Sequence, residues 1–344
     1  MSLRIALVLG GMAVLAVLAV GVFLVLLAVK NRPPKVPGDF AAPSALAPAA
    51  GAAPSGSLFY DSDRTGNFEV YVAPSPGATP TALTHDPTWD SWWPRLSPDR
   101  HRVLFYRTPK GVHDTNFSKT HLWMMNADGT GPVELRPPGL DGWAQQGHAD
   151  WSPDGQQLVM FGGKNTNPQI YVTQATGQSP RRLTDRGGIN VDPSFSPDGR
   201  TIAFVGCPQS VCFEDDYEIY TMAADGASPA QRMTDDRLRD HDPYYSPDGT
   251  RIAWLTRTST HGQHPGGSWN IRIANADGSD QRRLTDDDQI NSKPEWSRDG
   301  QTIYFHRFEM GRLTGFSIFS IDIAGSHMVE VTAGQPGVNE FPST

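Results

Sequence analysis

The sequence predicts an all-β protein, a six-bladed β-propeller with an N-terminal transmembrane helix, and three observations carry that expectation. A five-residue turn motif recurs at intervals of about fifty residues. The composition is rich in turn formers, with 34 Gly and 29 Pro among 344 residues and only 19% charged side chains; this suits many short strands and excludes a coiled coil or helical bundle. The last residues of the chain resemble a strand that its first repeat lacks.

The N-terminal element is residues 1–32, a membrane anchor. Ile5 to Val29 is 25 residues without a charged side chain, which as a helix reaches roughly 37 Å and covers a hydrocarbon core of about 30 Å. The apolar part of a cleaved signal peptide is only about 7–15 residues long, so an uncleaved single-pass anchor is expected. Arg4 flanks one side and Lys30, Arg32 and Lys35 the other; the positive-inside tendency alone would leave the following bulk in the cytoplasm. Two features oppose that. Residues 33–56 form a linker rich in Pro, Ala and Gly, a spacer that holds a domain off a bilayer. The only cysteines, Cys207 and Cys212, are close enough to close a small ring, as suits an oxidising compartment, although two free thiols remain an open alternative. The expected location is therefore extracytoplasmic, periplasmic or at the cell surface.

The net charge is −8, and residues 1–35 carry four bases and no acid, which leaves the remainder at −12. Phosphate repels such a surface, so nucleic acid is not an expected partner.

Residues 57–344 repeat one unit. Trp151-Ser152-Pro153-Asp154-Gly155, Phe195-Ser196-Pro197-Asp198-Gly199, Tyr245-Ser246-Pro247-Asp248-Gly249 and Trp296-Ser297-Arg298-Asp299-Gly300 are full copies, and Leu96-Ser97-Pro98-Asp99-Arg100 is a weaker one. Their Asp positions lie 55, 44, 50 and 51 residues apart, the period of propeller blades. Each copy reads as a strand ending in an aromatic or apolar residue, a turn, a second strand such as Thr201-Ile202-Ala203-Phe204, a third such as Glu218 to Met222, and a fourth running into Arg182-Leu183-Thr184-Asp185 or Arg283-Leu284-Thr285-Asp286. In the turn, Pro presets φ, Asp accepts from backbone N–H groups, and Gly takes the positive φ. Residues 57–84 supply a second, third and fourth strand but no first. Asn339-Glu340-Phe341-Pro342-Ser343 aligns with Asn190-Val191-Asp192-Pro193-Ser194, so strand 338–343 is expected to complete that blade and close the ring. Divided among six blades, residues 57–344 give 48 each.

The signature Pro-x-aromatic-Ser-Pro-Asp-Gly followed by Ile-Ala-Phe, with Ser62-Asp63-Arg64-Thr65-Gly66-Asn67-Phe68-Glu69-Val70-Tyr71 in the shared blade, resembles the TolB-like six-bladed β-propeller family over residues 57–344. Arg100 replaces the turn Gly, Arg298 the turn Pro and Ala149 the Pro before the strand end; these departures touch turns rather than architecture. No α/β domain precedes the repeats, so the Tol-system role is not expected to carry over. The resemblance implies binding rather than catalysis.

Loop lengths choose a face. The connections between first and second, and third and fourth, strands are tight turns on one side. The long segments Thr108–Thr120, Gly162–Pro168, Gly206–Asp216 and Thr256–Ser268 fall on the other, with the entries to each first strand. Such loops on a rigid scaffold are where binding resides. Trp89, Trp92, Trp93 and Trp143 on this side suit a protein or sugar platform, with about half of them expected to pack in the core. Asp235, Asp236, Asp240 and Asp242, then Asp286, Asp287 and Asp288, and Glu214, Asp215 and Asp216 would draw a basic partner or a hard cation, Ca²⁺ being the possible cofactor, unless they are solvated loop charge. A polar residue recurs three positions before each strand Pro: Ser91, Gln146, Asn190, Asp240, Asn291 and Asn339; these either line a channel mouth or cap their own turns. Gly-x-Ser-x-Gly, His-Glu-x-x-His, Cys-x-x-Cys and phosphate-loop signatures are absent. His113, His121, His261 and His264 fall in blades too far apart to cluster. The expected function is a membrane-tethered scaffold that binds protein through the loop-rich face. The alternatives are a metal-dependent, lyase-like carbohydrate enzyme using His148, His241 and Gln146, or a Ca²⁺-stabilised structural propeller.

Overall fold

The computed structural model describes residues 48–137, 143, 145–163, 167–185, 188–207, 216–236, 238–259, 267–309 and 315–344. Helix 5–29 and most of the 33–56 linker lie outside them, as do Cys212, His261, His264, Glu214 and Asp215. Among the described residues no helix is long and apolar enough to cross a membrane.

The fold is an all-β propeller. Strands β1 (Leu58–Ser62), β2 (Glu69–Ala73) and β3 (Thr81–Ala82) open the first sheet. Then come β4 (Trp89–Leu96), β5 (Arg102–Pro109), β6 (His121–Asn126) and β7 (Val133–Glu134); β8 (Gln145–Trp151), β9 (Gln157–Gly163), β10 (Gln169–Gln174) and β11 (Arg181–Arg182); and β12 (Ile189–Phe195), β13 (Thr201–Cys207), β14 (Glu218–Ala223) and β15 (Gln231–Arg232). The next group is β16 (Asp240–Tyr245), β17 (Arg251–Ser259), β18 (Ser268–Asn275) and β19 (Arg282–Arg283). The last is β20 (Ile290–Trp296), β21 (Thr302–Phe308), β22 (Phe316–Asp322) and β23 (Met328–Glu330), followed by β24 (Asn339–Ser343). Four sheets are separate and four-stranded; β16–β19 and β20–β23 form one eight-stranded sheet joined by a single parallel bridge, Trp269 to Ile290. β24 pairs antiparallel with β1, Asp61 opposite Glu340, and takes the place in the first sheet that β12 holds in its own.

The turn residues act as their chemistry requires. In each of the five motif copies the Ser hydroxyl donates to the Asp carboxylate at 2.6 Å, while the Ser oxygen accepts the backbone N–H five residues on. Gly199 and Gly249 sit at φ 70°, where a side chain would strain the backbone. In the weaker copy Arg100 holds φ 66°, and its guanidinium donates to the carbonyls of Ala53 and Pro54, tying the end of the linker to the turn.

Apolar side chains between sheets form the core. One cluster joins Trp92, Leu104, Tyr106 and Met124 to Trp151, Leu158 and Met160; another joins Leu255, Ile271 and Ile273 to Trp296, Ile303 and Phe305. Hydrogen bonds link neighbouring sheets at the first strands. Trp151 Nε1 donates to the Arg95 carbonyl and Trp296 Nε1 to the Tyr244 carbonyl, each at 3.0 Å. Thr344 Oγ1 donates to the Trp296 carbonyl, and Leu96 N–H to Ser343 Oγ, so the C-terminal strand is fastened on both sides.

Candidate functional site

The innermost strands β4, β8, β12, β16, β20 and β24 converge, and each carries one residue with positive φ: Trp93, His148, Asp192, Asp242, Lys293 and Phe341, all between 50° and 53°. The ladder to the second strand shifts register at the same place, so each is a β-bulge that redirects a side chain. These six side chains meet at the centre. His148 Nδ1 approaches Asp192 Oδ1 to 2.5 Å, and Lys293 Nζ donates to Asp242 Oδ1 at 2.7 Å. The Lys293 ammonium also lies 4.3 Å from the Trp93 ring centroid, and Trp93 stacks on Phe341 at 5.1 Å.

Asp192 holds a second imidazole. His241 Nε2 accepts from Arg239 Nε, which leaves Nδ1–H to donate to Asp192 Oδ2 at 2.6 Å. Burial would raise the Asp192 pKa, but the charge and hydrogen bond of His148, with His241 behind it, hold it well below the usual carboxylate range. Burial likewise opposes the charged forms of Lys293 and Asp242. Their mutual attraction outweighs it, raising the lysine and lowering the acid.

Two residues further along the same strands lies a second layer. Arg95 on β4 donates to Asp150 of β8 at 2.9 Å and Glu295 of β20 at 2.6 Å, and covers the Tyr244 ring at 4.8 Å. Arg95 thus draws side chains of β4, β8, β16 and β20 into one paired layer.

The loop following β5 folds over the opposite end. Its short 3-10 turn, η1 (Phe117–Lys119), is capped by the Asn116 side chain, and Phe117 packs 5.7 Å from His148. His113 stacks on Phe68 at 3.7 Å and points Nε2 toward Glu340 Oε2, 3.1 Å away, and Asp61 Oδ2, 3.8 Å away.

The expected site residues divide. Trp92 and Trp93 are buried, at 0% and 3% exposure, because the bulge turns Trp93 to the centre and Trp92 packs on Tyr106; neither offers a contact platform. Trp143 lies across Gly162, so close that a Cβ there would stand 1.7 Å from its ring, and against Tyr171. Trp89 is partly exposed, edge-on to His121, which is itself paired with Glu134. Of the Asp240-His241-Asp242 run, Asp240 is buried and accepts from Thr256 Oγ1, while the other two belong to the central network.

The recurrent polar residues, expected either at a channel mouth or as caps of their own turns, make these hydrogen bonds. Asn190 Nδ2 donates to Gln169 Oε1 and Asn291 Nδ2 to the Trp269 carbonyl, each on the preceding sheet. Gln146 Nε2 donates to the Thr120 carbonyl, and Asn339 Oδ1 accepts from Arg64. Ser91 is buried, with its N–H on the Phe68 carbonyl. The residues that meet at the axis stand two positions later, immediately before the strand Pro or Ala149. The sequence does hold that signal, since each of the six is charged, imidazole-bearing or aromatic.

His148, His241 and Gln146 do not come together as a ligand set: both ring nitrogens of His241 are engaged, and Gln146 is spent on a backbone carbonyl. Arginines answer the acidic runs. Asp235 pairs with Arg232, Asp236 with Arg272, Asp286 with Arg283 and Asp287 with Arg307. Cys207 is buried and disulfide-bonded.

A family model described as the TolB beta propeller domain matches residues 144–211. An uncharacterised protein of Agrobacterium fabrum is 29% identical over 157 residues, 45% of this chain and 49% of that protein. The Tol-Pal system protein TolB of Francisella tularensis subsp. mediasiatica is 29% identical over 187 residues, 54% of this chain and 40% of the relative. The matches therefore span half or less of those relatives' own length. The crystal structure of TolB from Acinetobacter baumannii shares the fold, with a TM-score of 0.65 at 18% identity over 86% of this chain and 67% of that one. The matched repeat, the relatives and the shared architecture support a TolB-like β-propeller family for this chain.

Proposed function

We propose that this protein is a membrane-tethered, extracytoplasmic six-bladed propeller whose loop-rich face binds a protein partner without chemistry. The observation that carries this reading is the contrast between the centre and that face. The axis is filled by side chains already paired with one another, whereas the long connection after β5 is built out over one end with Ser118 and Thr115 exposed. A relative named for a Tol-Pal system supports a protein rather than a small molecule as the partner. The six-blade reading takes the eight-stranded sheet as two blades meeting at its single bridge. Residues 5–29 supply the anchor, and a Cys207–Cys212 bridge ties one loop of the same face.

A photo-crosslinking residue at Ser118, on the loop-rich side, should capture one discrete protein in intact cells. The same probe at Asp225, in an exposed tight turn of the opposite face, should not. Equal labelling from both faces, or none from Ser118, overturns the reading. Alkaline carbonate should leave the full chain in the membrane and release a form lacking residues 1–32.

A further inference from the structure

Asp61 and Glu340 lie directly opposite each other where β1 pairs with β24. Both are buried, at 0% and 6% exposure. Like charges across an antiparallel pair repel even in water, and burial makes that costlier. The third group is His113, brought from the loop after β5. Three side-chain atoms face one another here: Asp61 Oδ2, Glu340 Oε2 and His113 Nε2. Each is buried and none makes a hydrogen bond of acceptable geometry. Such orphaned atoms are rare in a folded interior and call for an explanation.

The surroundings fix the trio in place. The Trp93 N–H donates to Asp61 Oδ1 at 3.0 Å, which leaves Oδ2 to face the cluster. Phe68 stacks on the His113 ring nearly parallel, at 14°, and Trp92 meets it edge-on at 5.3 Å. The three donor atoms lie within 4.8 Å of one another, with His113 Nε2 3.1 Å from Glu340 and 3.8 Å from Asp61. Donors about 2.0–2.2 Å from a tetrahedral ion stand about 3.4 Å apart, between those two distances.

We propose that Asp61, His113 and Glu340 form a binding site for a divalent transition metal, Zn²⁺ being the ion whose donor preferences fit best. One imidazole with two carboxylates suits zinc, whereas Ca²⁺ and Mg²⁺ favour oxygen alone and higher coordination. A bound divalent ion would offset the repulsion between the two buried carboxylates and engage all three orphaned atoms. Three protein donors leave a fourth position for water or a donor from a partner. The site is separate from the His148, His241 and Gln146 set considered from sequence, and does not depend on the protein-binding reading.

The test is equilibrium dialysis of the chelator-stripped full-length chain against Zn²⁺, with metal counted by mass spectrometry. One Zn²⁺ per chain is expected, with His113→Gln, Asp61→Asn and Glu340→Gln each weakening binding by about 100-fold or more. Equimolar Ca²⁺ should not displace it, and His148→Gln should leave binding intact. Substoichiometric zinc in the wild-type chain, undiminished binding by His113→Gln, or displacement by Ca²⁺ would overturn the proposal. X-ray absorption of the wild-type zinc complex gives a readout that needs no variant to fold. One nitrogen with oxygen neighbours is expected, and a shell with sulfur or several imidazoles contradicts the assignment.

Discussion

His306 is a fully enclosed imidazole used in its neutral form. Its Nδ1 accepts the Phe341 N–H at 2.9 Å, and burial depresses its pKa to about 4. A base with a lowered folded pKa contributes stability that is complete above about pH 6.5 and is lost as the pH falls toward 4. That leg is worth roughly 3 kcal/mol. Urea unfolding between pH 7 and 4.5 should show it, and His306→Gln should flatten the slope while lowering stability at neutral pH; an unchanged slope refutes the assignment. Asp240 has the opposite sign. Burial raises its pKa to about 8, so its stabilising effect is fullest in acid, below its unfolded pKa, and fades as the pH rises through 8. Asp240→Asn should therefore raise the melting temperature relative to wild type at pH 8.5 and not at pH 4. Neither behaviour is visible in the sequence, which shows Asp240 as a member of an acidic run and of the recurrent polar positions but not its burial. The ring from Trp93 to Phe341 was partly legible. Its members occupy one motif position, but the bulge that aims them inward costs about 1–3 kcal/mol per residue and persists only because packing enforces it.

The unit that sequence reasoning reads best is the turn. Ser196, Asp198 and Gly199 complete their hydrogen bonds within six residues, so no distant part of the chain is needed to define them. Ser196→Ala should cost about 1–2 kcal/mol by leaving the Thr201 N–H without its acceptor, measured by denaturant midpoint. The strand β24 depends on distant partners. It covers the edge of β1, inserts Phe341 against Trp93 and gives Ser343 Oγ to the Leu96 N–H. Removing Val338–Thr344 is expected to bare that edge and cause aggregation or a large fall in melting temperature. A truncated chain that melts like the intact one would refute this role.

Across the whole molecule, the centre is held by ionic and aromatic contacts among sheets far apart in sequence. Arg95 is the clearest case, buried between Asp150 and Glu295. Its attraction to those two carboxylates outweighs the cost of burial and keeps it charged. Arg95→Met would leave two carboxylates facing each other, with an expected loss of about 3–5 kcal/mol by chemical unfolding. Arg95→Met combined with Asp150→Asn and Glu295→Gln should recover much of it, because the uncompensated charge is then gone. An Arg95→Met variant as stable as the wild type would show that the pairing contributes nothing.

The repeating turns, the all-β class and the polar or aromatic identity of the residue before each strand Pro or Ala149 can all be read from the chain, since each is local and recurs at a fixed period. Tertiary structure decided what those side chains do. Arg95 and Glu295 are 200 residues apart, and Asp61 reaches Glu340 only when the two ends of the propeller chain share a sheet. No local pattern encodes which strands face one another across an axis. Trp92 and Trp93 therefore lie inside while Trp89 stays partly exposed, and Gln146, Asn190 and Asn291 fasten their strands to the preceding sheet.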